Sequence, residues 1–164
     1  MGGTVEALVY NDREQPQRTK ISDMVTQQDL NNLRSFKVAK VNLVGGGINS
    51  IVFAWQNPEA NLIIVHEVII RITTPGGTGG SLLDVDVVAS ATDTGDTIFD
   101  GLLLNGAAAV HGSHNIVDTV GANATEKPHL MDEKGGANAW LTGKCLIAVC
   151  TNLVGSAYIF YTEV

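Results

Sequence analysis

Five aspartates, Asp84, Asp86, Asp93, Asp96 and Asp100, fall within "DVDVVASATDTGDTIFDG". Carboxylates at that density suggest three chemistries. Calcium takes six to eight oxygen ligands, usually from one compact loop. The spacing in "DTGDTIFDG" is not that of an EF-hand, which needs ligands at alternate positions and a Glu at the twelfth. A glycosidase needs two carboxylates facing each other across a cleft, and only 5% of residues are aromatic, too few to suggest a sugar platform. The third reading is a turn, for which Asp and Gly are the ordinary residues. The sequence favours the turn, with Ile98 and Phe99 anchoring the strand that follows. The aspartates would then face water or a subunit boundary.

The remaining candidates are scattered. His111 and His114 in "HGSH" could share a zinc ion with His129 or Asp118, given a fixed frame. His66 lies among aliphatic residues and reads as a buried, hydrogen-bonded side chain. Ser113 sits in no G-x-S-x-G elbow. "GGG" and "GGTGG" lack the Lys-Ser/Thr of a phosphate loop. Cys145 and Cys150 are five apart in "GKCLIAVC". If that run were one strand, they would lie on opposite faces, unable to bridge. Buried free thiols suit a reducing compartment such as the cytosol. No catalytic residue, cofactor site or metal site is assigned, and an enzyme is not expected.

The elements that must carry these residues are strands. "SFKVAKVNLV" alternates Phe36, Val38 and Val41 against Lys37 and Lys40, with a break near Ala39. "NSIVFAWQ" ends at the turn signal "NPE". "NLIIVHEVIIRITT" is rich in β-branched residues. Strict alternation along it puts Leu62, Ile64, His66, Val68, Ile70 and Ile72 on one face, and Glu67, Ile69, Arg71 and Thr73 on the other. "SLLDVDVVASAT" alternates Leu83, Val85 and Val87 against Asp84, Asp86 and Val88. Residues 111–136 read as loop. "AWLTGKCLIAVCT" and "AYIFYTEV" close the chain, either as a hairpin or across a sandwich from each other. The expectation is an all-β antiparallel β-sandwich, jelly-roll-like, of seven or eight strands over residues 36–164. Residues 1–35 form an extended, polar N-terminal arm that can carry one short helix over "TQQDLNNL".

The 164 residues allow one domain with a sizeable core. Charged residues make up only 16%, and 18 glycines fit a turn-rich β protein. Residues 1–44 hold six basic and five acidic side chains, a balance of +1. The remainder holds four and twelve, a balance of −8. No Lys or Arg occurs from Ile72 to Glu126. An acidic body repels phosphate backbones, so nucleic acid is not an expected partner. The first twenty residues lack the apolar segment of a signal peptide, and no apolar run is long enough to span a membrane.

Three stretches, "FAWQNPEANLIIVHEVIIRITTPGGTG", "DTGDTIFDGLLL" and "GSAYIFYTEV", resemble a family of small tailed-bacteriophage virion proteins of the head decoration (cement) type. The resemblance spans roughly Ile51 to Val164. It implies a β-sandwich subunit on the outer capsid surface, made in the host cytoplasm. Such a subunit forms a homotrimer and bridges capsomers by binding the major capsid protein. The family supplies no catalytic residues. The arm lies outside the resemblance. Its Arg13, Arg18 and Lys20 are candidates for contact with an acidic capsid surface. The alternative is a tail or head fibre, or a surface-adhesion module, that binds a host glycan or receptor through residues 105–136, bordered by Trp140.

Overall fold

The computed structural model describes residues 6–10, 16–20, 36–77, 79–113 and 128–164. The chain divides into two compact units, Met1–Phe36 and Lys37–Val164. The first contains an antiparallel hairpin of β1 (Glu6–Tyr10) and β2 (Pro16–Lys20). Of the extended, polar arm expected over residues 1–35, the described residues are these two strands. Pro16 opens β2, a position where the missing N–H costs no ladder bond. The helix expected over residues 26–33 lies outside the described residues.

The second unit is all strand and turn among the described residues. Its strands are β3 (Lys37–Val44), β4 (Ile51–Gln56), β5 (Ile63–Thr74), β6 (Leu82–Val88), β7 (Phe99–Leu103), β8 (Ala109–Gly112), β9 (His129–Met131), β10 (Trp140–Leu146) and β11 (Val154–Glu163). One sheet has the order β4-β10-β6-β7. The other has the order β3-β11-β5-β8, with β9 also on β5. Among the described residues every strand pairing of this unit is antiparallel.

The pairings are nested. β6 meets β7, β5 meets β8 and β9, β4 meets β10, and β3 meets β11. This unit is therefore one long hairpin folded strand by strand onto itself. Rolling it up adds the contacts β11–β5 and β10–β6. That is the jelly-roll arrangement of two Greek keys. The closing strands β10 and β11 lie in opposite sheets, so of the two expected arrangements the structure takes the one across the sandwich.

Apolar residues of both sheets fill the space between them. Ile63, Ile70 and Ile159 on one side meet Leu83, Phe99, Leu102 and Leu141 on the other, all fully buried. Burial of apolar area of this kind is the main force holding the sheets together.

The structure corrects three details of the expected patterning. In β3 the alternation is unbroken: Ala39, Val41 and Leu43 point inward, while Val38, Lys40, Asn42 and Val44 are exposed. In β5 the register shifts opposite Phe160 and Tyr161. Ile63 and Val65 point inward before that shift, and Val68, Ile70 and Ile72 after it. The bulge turns His66 away from the core, where its Nε2 lies 2.8 Å from Thr162 Oγ1. The third correction concerns the cysteines. β10 stops at Leu146, and a tight turn follows in which Ile147 has φ +66° and Ala148 N–H donates to Leu146 O at 2.7 Å. The chain doubles back and brings Cys150 beside Cys145, so the two are not on opposite faces of one strand.

Candidate interaction surface

Two of the five aspartates, Asp84 and Asp86, hold a loop in place. Residues 89–98 fold back over the outer face of the four-stranded sheet. Asp86 on β6 accepts hydrogen bonds from the Val87 amide at 2.7 Å and from the Thr97 hydroxyl. Gly95 passes so close to Asp86 that a Cβ there would lie 2.8 Å from its Cγ. Thr142 on β10 lies fully buried beneath the loop and donates to Asp93 O at 2.8 Å. Asp84 accepts the Gly101 amide at 2.8 Å. Ile98 and Phe99 then enter the core, as the turn reading expected. Asp84 and Asp86 do not simply face water. They are half-buried and fasten the β6–β7 connection.

Burial pushes the Asp84 carboxyl above the ordinary carboxylate range. The Gly101 amide opposes the shift, and Asp100 and Asp96 add to it. A carboxyl whose folded value is raised contributes stability that is complete below its unfolded value and is lost as pH rises through the folded one. Asp84→Asn keeps an acceptor for Gly101 and removes the charge. Its melting temperature should exceed the parent's at pH 7 by about 1–2 °C, a small effect because the site is half open to solvent. The gap should close below about pH 4, where Asp84 is protonated in both states. Thermal scans across that range decide it, and a lower melting temperature at pH 7 would contradict the assignment.

The histidine, serine and cysteine candidates also have structural places. Ser113 Oγ accepts the Val68 amide at 3.0 Å, and Ser113 N–H donates to Val68 O at 2.9 Å, so this residue extends the β5 ladder. His111 is buried opposite Ile70, and His129 pairs in register with Val65. His114 and Asp118 lie outside the described residues. Among the described residues no three His, Cys, Asp or Glu side chains are grouped to hold a metal ion. Cys145 and Cys150 are free, buried thiols. Burial, then the hydrogen bond with Cys150, pushes the Cys145 thiol up to about 12. That leaves negligible thiolate at neutral pH.

One end of the sandwich carries a polar cluster that the sequence reading passed over. Asn57, in "QNP", is fully buried. Its Nδ2 donates to Asn61 O at 3.0 Å and Asp132 O at 2.8 Å, and its Oδ1 accepts the Glu59 amide at 2.9 Å. Its own amide donates to Ala139 O at 2.8 Å. Nearby, Lys37 Nζ lies 2.7 Å from Glu59 and 3.1 Å from Glu163. Asn61 donates to Glu163 at 2.8 Å, and the Tyr161 hydroxyl donates to Glu59 at 3.1 Å. Glu163 is held below the usual range by Asn61 first and Lys37 second. Trp55 packs against Tyr161 with ring centroids 5.2 Å apart. Lys37 opens β3, where these carboxylates meet it at a partly exposed position.

The outer face of the five-stranded sheet carries exposed apolar side chains. Val38, Val44, Val110, Leu130 and Val154 point outward there, each more than half exposed. Tyr158, Phe160, Ile64 and Ile69 lie between them, half-buried. Lys40 and Arg71 sit on the same face, both exposed, and Lys40 Nζ lies 5.9 Å from the Tyr158 ring centroid. Of the arm candidates, Arg18 and Lys20 are on β2, in register with Leu8 and Glu6. Arg13 lies outside the described residues. The arm candidates and this face belong to different units of the chain.

The fold and its surface define an antiparallel jelly-roll sandwich. No family model and no curated protein matches the sequence. Among solved structures, the chain is similar to one described as "Capsid of Ralstonia phage GP4". The TM-score is 0.49 at 11% identity, covering 79% of this chain and 84% of that one. A second, "Structure of infectious bursal disease virus Gx strain", has a TM-score of 0.22 at 10% identity. It covers 99% of this chain and 47% of that one. At these values neither likeness bears on function or partners.

Proposed function

We propose that the chain is a structural virion protein of the decoration type. It would bind the outer surface of a phage head as a homotrimer and bridge neighbouring capsomers of the major capsid protein, with no turnover. The observation that carries this reading is the outer face of the five-stranded sheet. Five aliphatic side chains stand more than half exposed on one side of that sheet. An uncovered apolar face of this kind is characteristic of protein–protein contact. Asp84, Asp86 and Ser113, three of the acidic and nucleophilic candidates, each accept a backbone amide. Jelly rolls serve capsids, lectins and cupins alike, so fold alone does not choose among them. The strand-and-turn resemblance over Ile51 to Val164 supports the head-coating choice.

The arm has a part in this reading. Docking on an acidic shell through Arg13, Arg18 and Lys20 would steady it and add avidity across a trimer. Removing residues 1–20 should weaken binding to heads stripped of this protein by about tenfold or more. Co-sedimentation with stripped heads measures it. Full-strength binding by the truncated chain would remove the arm from the contact. Absence of binding by the parent chain would contradict the decoration reading itself.

A further inference from the structure

We propose that a groove across β3, β11, β5 and β8, on the outer face of the five-stranded sheet, binds a carboxylate-bearing peptide segment through Lys40 and Arg71. The inference rests on the decoration reading only for the source of the segment, which would be a protein of the head shell.

The pairing registers build the groove. Asn42, Ser156, Arg71 and Val110 form one transverse row over the four strands. Lys40, Tyr158, Ile69 and Gly112 form the next row. Lys40 and Arg71 are thus two strands and one row apart. Strand spacing and rise put their Cα atoms about 12 Å from each other. Two long side chains can close that span on one carboxylate between them. Lys40 already leans across β11, over the ring of Tyr158. A concavity of about 420 Å³ is bounded by both cations together with Asn42, Thr73, Ser156 and Tyr158. A second, of about 340 Å³, continues from Arg71 and Thr73 to Ala109 and Val110.

The charges identify the ligand. Lys37 is paired with Glu59 and Glu163, whereas neither Lys40 nor Arg71 has a carboxylate partner among the described residues. Glu67, on the same strand as Arg71, is four residues away, about 13 Å along β5. Two cations with no carboxylate partner among the described residues favour an anionic ligand. The guanidinium matches a carboxylate with two parallel hydrogen bonds. The rims are apolar, from Val154 on one side to Ala109 and Val110 on the other, which suits a peptide with apolar residues flanking its acid. A nucleic acid would bring many phosphates against a chain of net charge −7 and is disfavoured.

The test uses the full chain and a fluorescein-labelled octapeptide of alternating Glu and Val, followed by anisotropy at low salt. The Gln/Val counterpart and an oligothymidylate serve as controls. Lys40→Gln with Arg71→Gln should weaken the Glu/Val peptide by about tenfold or more, and each single change by about threefold. Both side chains are exposed, so the melting temperature should hold. Equal affinity of the double variant and the parent would overturn the proposal, as would equal affinity for the Gln/Val peptide. Preferential binding of the oligothymidylate at the same residues would overturn the peptide assignment. Stripped heads that retain the parent and lose the double variant would place the head partner in the groove. Heads that bind neither would count against the decoration reading, while the peptide result still decides the groove.

Discussion

Replacing Asn57 by Leu should cost about 3 kcal/mol of stability and lower the melting temperature by about 6–12 °C. Leu has the branching of Asn but is bulkier, so the loss combines missing hydrogen bonds with some overpacking. Three backbone groups, Asn61 O, Asp132 O and Glu59 N–H, depend on this one buried amide. Leaving buried polar groups unpaired costs more than the net worth of the bonds they made. Asn57→Asp sharpens the test. Its oxygen can still accept from Glu59, but a carboxylate cannot donate to the two carbonyls. The Asp variant should therefore be worse than Leu at pH 7. It should recover part of the loss, relative to the parent, near about pH 4, where a protonated acid donates again. Urea titrations at the two pH values read both effects. A Leu variant within about 0.5 kcal/mol of the parent would show that water satisfies these groups equally well.

Replacing Gly143 by Ala should cost about 2–3 kcal/mol. Gly143 lies in β10 at a register shift against β4 and is fully enclosed. A Cβ there would lie 2.6 Å from Cδ1 of Phe53, closer still to Cε1, and 3.1 Å from Cδ1 of Leu83. Phe53 is itself buried between the sheets and has no open space to swing into. The missing side chain is thus part of the packing. Phe53→Leu should relieve the clash, so the double variant should be more stable than the two single costs predict, by on the order of 1 kcal/mol. Strict additivity would mean that the cost of Gly143→Ala comes from backbone conformation instead.

Much of the sandwich was legible because period-two alternation is a local signal. "LLDVDVV", "AYIFYTEV" and the "DTIFDG" turn could be read directly, and Ile98 and Phe99 bury as that turn required. Failures came where a non-local event changed the period. The bulge opposite Phe160 and Tyr161 shifts the facing of β5 midway, which moves His66 out of the core. The turn at Ile147 needs a left-handed conformation that a β-branched residue rarely takes, so "CLIAVC" reads as one strand when it is a strand and a return. Strands β8 and β9 are only four and three residues long, within a stretch rich in turn residues. Asn57 looked like a turn residue. A buried keystone and an exposed turn Asn have the same local sequence, and only the partners at Asn61 and Asp132 tell them apart. The apolar outer face was hidden for a similar reason, since a strand pattern shows that its faces differ but not which one the second sheet covers.

The central claim, a head-coating role, is tested most directly by counting copies. Particles purified from the source of this chain should be analysed by quantitative mass spectrometry against the major capsid protein. The account predicts one copy per capsid subunit, or a simple fraction of that number. A handful of copies per particle would move the chain to the tail or fibres, and complete absence would contradict the virion reading.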